Sequence, residues 1–274
     1  MTRPFSFARG LKSLVQSTKI WFGSLAAIRR QTMFGTARIY EYNDGPDRVR
    51  VLDMGGTFQS ATYLDGRWYK VPFLYLALFD RMFEANPSIT DVCMLGGGGF
   101  SYPKQFIVEH PQARIDVVEI DPAITRIAYE FFFLDRLERE YEASACGRLG
   151  IVTQDASQYL QRCMQDGHRY DAIVNDCFVV EQRDASLATP AGIAAIRGCL
   201  KPDGLYLANT ICALEGALAS PLWELVAALS AEFDHVHVLP CDKVPRTEVD
   251  NMVVIASNKD FDVPGAIRLY DAVA

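Results

Sequence analysis

Four consecutive glycines and two acids placed at the ends of apolar segments are the residues of this chain best suited to chemistry. The stretch from Asp91 to Asp121 reads D-V-C-M-L-G-G-G-G-F-S, then a helix-like run, then R-I-D-V-V-E-I-D. Gly96, Gly97, Gly98 and Gly99 let backbone approach a ligand closely. Glu119, at the end of the next apolar segment, can accept hydrogen bonds from both hydroxyls of a ribose. The loop N–H groups and the helix that Ser101 opens favour a negative ligand group. That order grips the adenosine half of a nucleoside cofactor. A tight strand-to-helix turn would need fewer glycines.

Three further positions carry candidate chemistry. Asp121 stands before Pro122 and equally suits a helix N-cap. Asp155, in T-Q-D-A-S, can accept from an adenine amino group with the Ala156 N–H beside it, or can cap the helix it precedes. Asp176, in A-I-V-N-D-C-F, ends a buried strand; it can hold a cationic substrate or take a proton from an amine, or serve as a cap. The polar stretch from Phe178 to Pro190 carries Glu181 and Asp184 and reads as a lid over the substrate.

These residues need a frame that brings strand ends together. From Asp91 the apolar pattern alternates between strand and helix. The reading places strands at 91–95, 114–119, 149–153, 170–175, 204–209, 235–239 and 251–257. Helices are expected near 102–110, 122–134, 156–165, 190–200 and 221–232. The last two strands lack an intervening helix and read as an antiparallel hairpin at a sheet edge. The expected fold is α/β: a doubly wound, mainly parallel, seven-stranded Rossmann-like sheet with helices on both faces. A small antiparallel unit precedes it, with strands at 37–42, 48–53 and 57–64 and turn signals at Asn43-Asp44-Gly45 and Gly55-Gly56. Val71 to Ala85 reads as one apolar helix. Residues 1–34 read as a basic amphipathic arm with apolar positions at helical spacing, among them Trp21, Leu25 and Ile28. The division is thus an arm (1–34), a β unit (35–70) and a cofactor domain (71–274).

Composition narrows the functional classes. The 274 residues are 50% hydrophobic, enough for a substantial core. The net charge of −7 argues against a nucleic-acid binder. The charge is uneven: seven cations and no acid precede Glu41, so the first 40 residues carry +7 and the remainder −14. Seven cysteines with no Cys-x-x-Cys spacing give neither a disulfide framework nor a zinc site, and fit a reducing cytoplasm. No metal site is expected from the four histidines. No apolar run reaches the roughly 18 residues of a membrane span, and no signal peptide is evident. The patterns G-x-S-x-G and G-x-x-x-x-G-K-S/T are absent, which removes the corresponding hydrolase and P-loop readings.

The glycine loop, V-V-E-I-D-P, the Q-D-A strand end, Y-D-A-I-V-N-D and L-K-P-D-G-L resemble class I S-adenosylmethionine-dependent transferases. More narrowly, the chain resembles the spermidine synthase (polyamine aminopropyltransferase) family over residues 36 to 258. V-L-D-M-G-G-T-F-Q-S looks like that family's V-L-D-G-x-x-Q segment. The resemblance implies S-adenosylmethionine or its decarboxylated form as cofactor. By that likeness Gln59, Glu119, Asp155 and Asp176 fall on nucleoside- or substrate-binding positions; with the reading of the residues above, the expected cofactor contacts are Gln59, Gly96–Gly99, Glu119, Ile120, Asp155 and Ala156, and the expected catalytic residue is Asp176. Tyr69 and the lid acids Glu181 and Asp184 are the expected acceptor contacts. A homodimer is expected by the same likeness.

The departures shape the expected reaction. The family's loop is G-G-G-D-G, and its acid holds the amine of the decarboxylated cofactor; Gly99 stands there in this chain. The family's D-S-S/T-D-P is Asp176-Cys177-Phe178-Val179-Val180, and its Y-H-E is Tyr69-Lys70-Val71. Carboxylates suited to a di-cationic polyamine are replaced by neutral residues, or by one flanked by a cation. The expected activity is therefore methyl transfer from intact S-adenosylmethionine to a small or peptide-borne acceptor. Aminopropyl transfer, with polyamine contacts from Glu181 and Asp184, is the first alternative. A non-catalytic nucleoside-binding or scaffold protein is the second.

Overall fold

The computed structural model describes residues 26–179, 182–183, 185–241 and 244–268. Strands β1 (Ile28–Thr32), β2 (Gly35–Asp44), β3 (Asp47–Met54) and β4 (Thr57–Tyr63) form an antiparallel sheet in sequence order. The turns fall where glycine supplies positive φ, at Gly45 and at Gly55-Gly56. β1 differs from the helical reading of the arm: Ile28 to Thr32 pairs with Ile39 to Gly35. A single apolar residue, Ile28, sets no period, and tertiary contacts decide. Arg30 pairs with Glu130 at 2.6 Å and lies over the Phe131 ring at 5.1 Å. The rest of the arm, residues 1–25, lies outside the described residues.

The expected helix over Val71–Ala85 is broken into α1 (Leu74–Leu78) and α2 (Arg81–Ala85). Phe79 is fully buried against Tyr102, with centroids 5.3 Å apart, and Asp80 accepts from Tyr102 Oη and Gln105 Nε2, both at 2.9 Å. Those contacts bend the chain between the two helices.

The main sheet contains β5 (Asp91–Leu95), β6 (Arg114–Glu119), β7 (Leu149–Thr153), β8 (Tyr170–Asn175), β11 (Leu200–Cys212), β12 (His235–Pro240), β13 (Asp250–Ser257) and β14 (Ile267–Arg268). Two-residue strands β9 (Phe178–Val179) and β10 (Gln182–Arg183) pair with each other outside it. The order is β14-β12-β13-β11-β8-β5-β6-β7. The strands from β7 to β11 are parallel, while β13 is antiparallel to both β11 and β12. β13 therefore lies inside the sheet. An eighth strand, β14, extends the expected seven at the edge.

β5, β6 and β8 read as nearly unbroken apolar runs because both faces are covered, and their residues are almost all buried. The covering helices include α3 (Ser101–Glu109), α4 (Pro122–Phe131), α5 (Leu134–Tyr141), α6 (Ala156–Asp166), α7 (Pro190–Gly198) and α8 (Ser220–Ser230). α5 is not in the sequence reading. It buries only Leu134 and Leu137, and its exposed face carries i,i+4 pairs Arg136–Glu140 and Asp135–Arg139. Phe133, in the left-handed region at φ 63, separates it from α4.

One buried cation joins the two sheets. Lys104 on α3 is fully buried, and its Nζ donates to Thr62 Oγ1 at 3.0 Å, Trp68 O at 3.2 Å and Phe132 O at 2.6 Å. Burial, with Arg50 nearby, pulls its pKa down to about 7. The amine is held by oxygen dipoles that meet its hydrogen-bonding needs without an opposing charge.

Candidate active site

The chain runs from β5 to β6 and β7 on one side of β5, and to β8 and β11 on the other. The carboxyl ends of β5 and β8 therefore mark the point where a doubly wound sheet opens a crevice. A cleft lies there. Its walls include Gln59 and Ser60 from the N-terminal sheet, Gly96–Gly98, Glu119, Ile120, Asp155, Ala156, Asp176, Asn209 and Asn251.

Gly96 has φ +89, and a Cβ there would lie 2.6 Å from the Asp176 carbonyl oxygen. Only glycine lets the β5 and β8 ends close to this distance. The loop amides, assigned to a ligand in the sequence reading, are taken by the protein. Gly97 and Gly98 N–H donate to Glu119 Oε2 at 3.0 and 3.1 Å, and Gly99 N–H donates to Ser60 Oγ at 3.0 Å. The glycines thus serve close approach by Glu119 itself. Asp121 N–H donates to Glu119 Oε1 at 2.9 Å, so three backbone donors fix this carboxylate. Burial pushes the Glu119 carboxyl above its ordinary range, and those N–H groups oppose the shift.

Gly99 does not line the cleft. A Cβ there would meet Ser60 Oγ at 2.7 Å and Phe132 Cδ1 at 2.9 Å. Asp155 lines the cleft and also caps α6, its Oδ1 accepting from Gln158 N–H at 2.9 Å. Asp121 caps α4 through Ala123 N–H at 2.7 Å. Tyr69 lies away from the lining, edge-on to Trp68 at 5.8 Å, with Lys70 Nζ 5.4 Å from its ring. Glu181 and Asp184 lie outside the described residues.

Asp176 has the side-chain environment the sequence could not show. Tyr75 Oη donates to its Oδ2 at 3.1 Å, and Asn209 Nδ2 donates to its Oδ1 at 2.8 Å. Asn251 Nδ2 in turn donates to Asn209 Oδ1 at 3.0 Å, fixing the amide. Burial drives the Asp176 carboxyl up to about 7, against the pull of its two donors. A carboxyl that exchanges its proton near neutrality is suited to general base work. Phe73 and Tyr75, stacked at 6.1 Å, line the same cleft, as do Leu76, Tyr102 and Ile211.

At the opposite ends of the strands, Asp91, Asp116 and His168 bring ligand-type atoms within 4.8 Å of one another. Arg114 already supplies positive charge there. Its Nη2 donates to both Asp116 oxygens at 2.8 and 2.7 Å, and its Nη1 lies 3.5 Å from Asp91. Among the described residues no disulfide forms and no helix is long and apolar enough to cross a membrane.

Fold and cleft are of one spermidine synthase-like kind: a Rossmann-like sheet, a small antiparallel sheet over its crevice and a buried acid at the end of β6. The chain belongs to the family of the spermine/spermidine synthase domain, whose model matches residues 79–219. It is 25% identical over 181 residues to a polyamine aminopropyltransferase of Vibrio vulnificus, covering 66% of this chain and 58% of that protein. It is 26% identical over 180 residues to an eEF1A lysine and N-terminal methyltransferase homolog of Drosophila pseudoobscura pseudoobscura, covering 62% of this chain and 24% of that protein. Both matches span less than two thirds of the relative's own length. A probable spermidine synthase from Corynebacterium glutamicum shares the fold with a TM-score of 0.68 at 21% identity, over 86% of this chain and 81% of that one.

Proposed function

We propose that the chain transfers the methyl group of intact S-adenosylmethionine to a single amine carried by a small molecule or a peptide. The observation that carries the reading is the placing of acids on the cleft wall. Among the described lining residues the acids are Glu119, Asp155 and Asp176. Glu119 and Asp155 stand at the ends of β6 and β7, where a nucleoside belongs. Among the described lining residues Asp176 alone stands at the β8 end, and one acid matches one ammonium rather than the two of a diamine. No acid marks position 99, and Ser60 and Phe132 fill the space beside it.

The cleft fits the cofactor by its donor set. Glu119 offers buried carboxylate oxygens to ribose hydroxyls, Ile120 and Ala156 offer apolar surface, and Asp155 offers an acceptor for an adenine amino group. S-adenosylmethionine supplies an electrophilic methyl group on a sulfonium. The chain's own part is orientation and proton removal. An acceptor ammonium has no lone pair until it loses a proton; the Asp176 carboxylate takes that proton, with Tyr75 and Asn209 fixing its direction.

Aminopropyl transfer is the second reading, favoured by the likeness to the Vibrio vulnificus enzyme. Isothermal titration of the purified protein with intact and decarboxylated S-adenosylmethionine separates the two. Tighter binding of the intact form is expected. Tighter binding of the decarboxylated form, together with spermidine formed from putrescine, would overturn the methyl-transfer reading.

A further inference from the structure

The tip of the β1–β2 hairpin forms a part of the cleft wall to which the chemistry above gives no task. Phe34 lines the cleft together with Leu52, Met54, Ile120 and Ile124, and the residue is 37% exposed. Its neighbour Met33 donates its N–H to Asp121 Oδ2 at 2.6 Å. A helix cap occupies one oxygen of Asp121, on Ala123 N–H; the second oxygen reaches out of the helix to the hairpin. Asp121 is only 1% exposed while Met33 lies at the surface, so the bond ties the exposed tip to a buried anchor.

The bonds form one continuous path. Met33 N–H reaches Asp121, Asp121 N–H reaches Glu119 Oε1, and Glu119 Oε2 receives Gly97 and Gly98 N–H. The hairpin tip is thus tied to the same carboxylate that faces the cofactor. The turn is braced as well. Thr32 Oγ1 donates to Gly35 O at 2.7 Å, and Phe34 N–H donates to Thr32 Oγ1 at 3.2 Å. The Arg30–Glu130 pair holds β1 against α4. An aromatic ring left partly in water on the wall of a cleft, on a braced support, has apolar area to lose to a flat ligand.

Position decides which ligand. Ile120, Ile124 and Asp121 belong to the corner between β6 and α4, beside the ribose acid. Asp176 directly follows β8, and β5 lies between β6 and β8. We infer that Phe34 is an affinity residue for the purine nucleoside of the cofactor, its ring covering the nucleoside held at Glu119, and that Asp121 is the positioning residue that keeps the hairpin tip in place. This inference rests on the S-adenosylmethionine-type reading of the cleft.

The test is isothermal titration of the full chain with S-adenosylhomocysteine and with 5′-methylthioadenosine, which share only the nucleoside and its sulfur. Phe34→Ala is expected to weaken both by the same factor, about tenfold, the size of one base–aromatic contact. Phe34→Tyr is expected to keep wild-type affinity. Asp121→Asn retains one oxygen for the cap and puts an NH2 group where the second oxygen stood. It is expected to weaken both ligands about threefold, the loss of one modest hydrogen bond. In the Phe34→Ala background it should weaken them no further, a coupling that a purely structural cap would not show. Unchanged affinity in Phe34→Ala, with wild type binding both ligands, would overturn the inference. So would loss confined to the acceptor KM. If wild type binds neither ligand, the cofactor reading itself falls and takes this inference with it.

Discussion

Glu119, buried, and Asp176, half-buried, are two acids at strand ends of the same crevice, separated by β5, and they are held in opposite ways. Glu119 is fixed by backbone: three N–H groups from the glycine loop and the β6–α4 corner converge on it. Asp176 is fixed by side chains, Tyr75 from α1 and Asn209 from β11, with Asn251 behind. Backbone donors come with the fold and cannot be replaced one at a time. Side-chain donors can be exchanged singly, so a family can retune the proton affinity at β8 while leaving the nucleoside end alone. The β8 end is set by exchangeable side chains, and the β6 end is built into the chain's path.

Replacing the side-chain-held acid tests this division most severely. Asp176→Asn is expected to lower kcat by about 10²–10⁴-fold, the range of a lost general base, while the Kd for S-adenosylhomocysteine moves little. Steady-state kinetics beside titration calorimetry measure both. An equal loss in Kd would erase the distinction between the two ends.

The backbone-held acid should fail differently. Glu119→Ala leaves buried N–H groups of the loop without partners, and is expected to cost about 1–3 kcal/mol of folding stability as well as cofactor binding. Urea unfolding followed by circular dichroism reads the first. A variant as stable as wild type would show that the loop does not depend on Glu119.

The pH dependence of stability sharpens the contrast. The Asp176 carboxyl is raised from 3.8 to about 7 in the folded protein. Its neutral form therefore favours the folded state, fully below about pH 4, and this contribution is lost as pH rises through about 7. Stability of the ligand-free protein should fall across that window, and Asp176→Asn should flatten the fall. Glu119, also raised, adds a decline of the same sign that the Asn variant retains. Lys104 acts above this window: its depressed pKa makes stability rise between about 7 and 10.5. Thermal melts of both proteins from pH 4 to 9 provide the comparison.

The smallest expected effect comes from one donor. Tyr75→Phe removes a hydrogen bond that favours the charged carboxylate, so the kinetic pKa of Asp176 should move up. Activity at pH 7 should fall a few-fold, roughly the loss of one modest hydrogen bond, and recover by pH 9. A pH–rate profile unchanged from wild type would show that Tyr75 has no part in setting the carboxyl.

The gripping end was the more legible in sequence. Glycines, strand and acid follow one another within 31 residues, from Asp91 to Asp121, so local pattern sufficed to mark them. The reacting end is assembled by topology. Tyr75 was hidden in V-P-F-L-Y-L-A-L-F, which reads as one apolar helix until Phe79 and Asp80 bend it. Asn209 and Asn251 are buried polar residues, each beside one other, Thr210 or Asp250, at the ends of apolar runs, L-Y-L-A-N-T and D-N-M-V-V-I. A polar residue at such a place had to be satisfied by something, and that was the available signal. Two expectations met physics that a one-dimensional reading does not contain. The loop amides were already claimed by Glu119 and Ser60, and β1 took its conformation from α4 rather than from its own period.

Lys104 gives the molecule a chemical clock. Its amine is sealed between the small sheet and α3 and tied to Thr62 and to the carbonyls of Trp68 and Phe132. An acylating reagent in solution can reach it only when the small sheet lifts from α3. The rate at which Lys104 is labelled, set against that of the exposed Lys259, would count those openings directly.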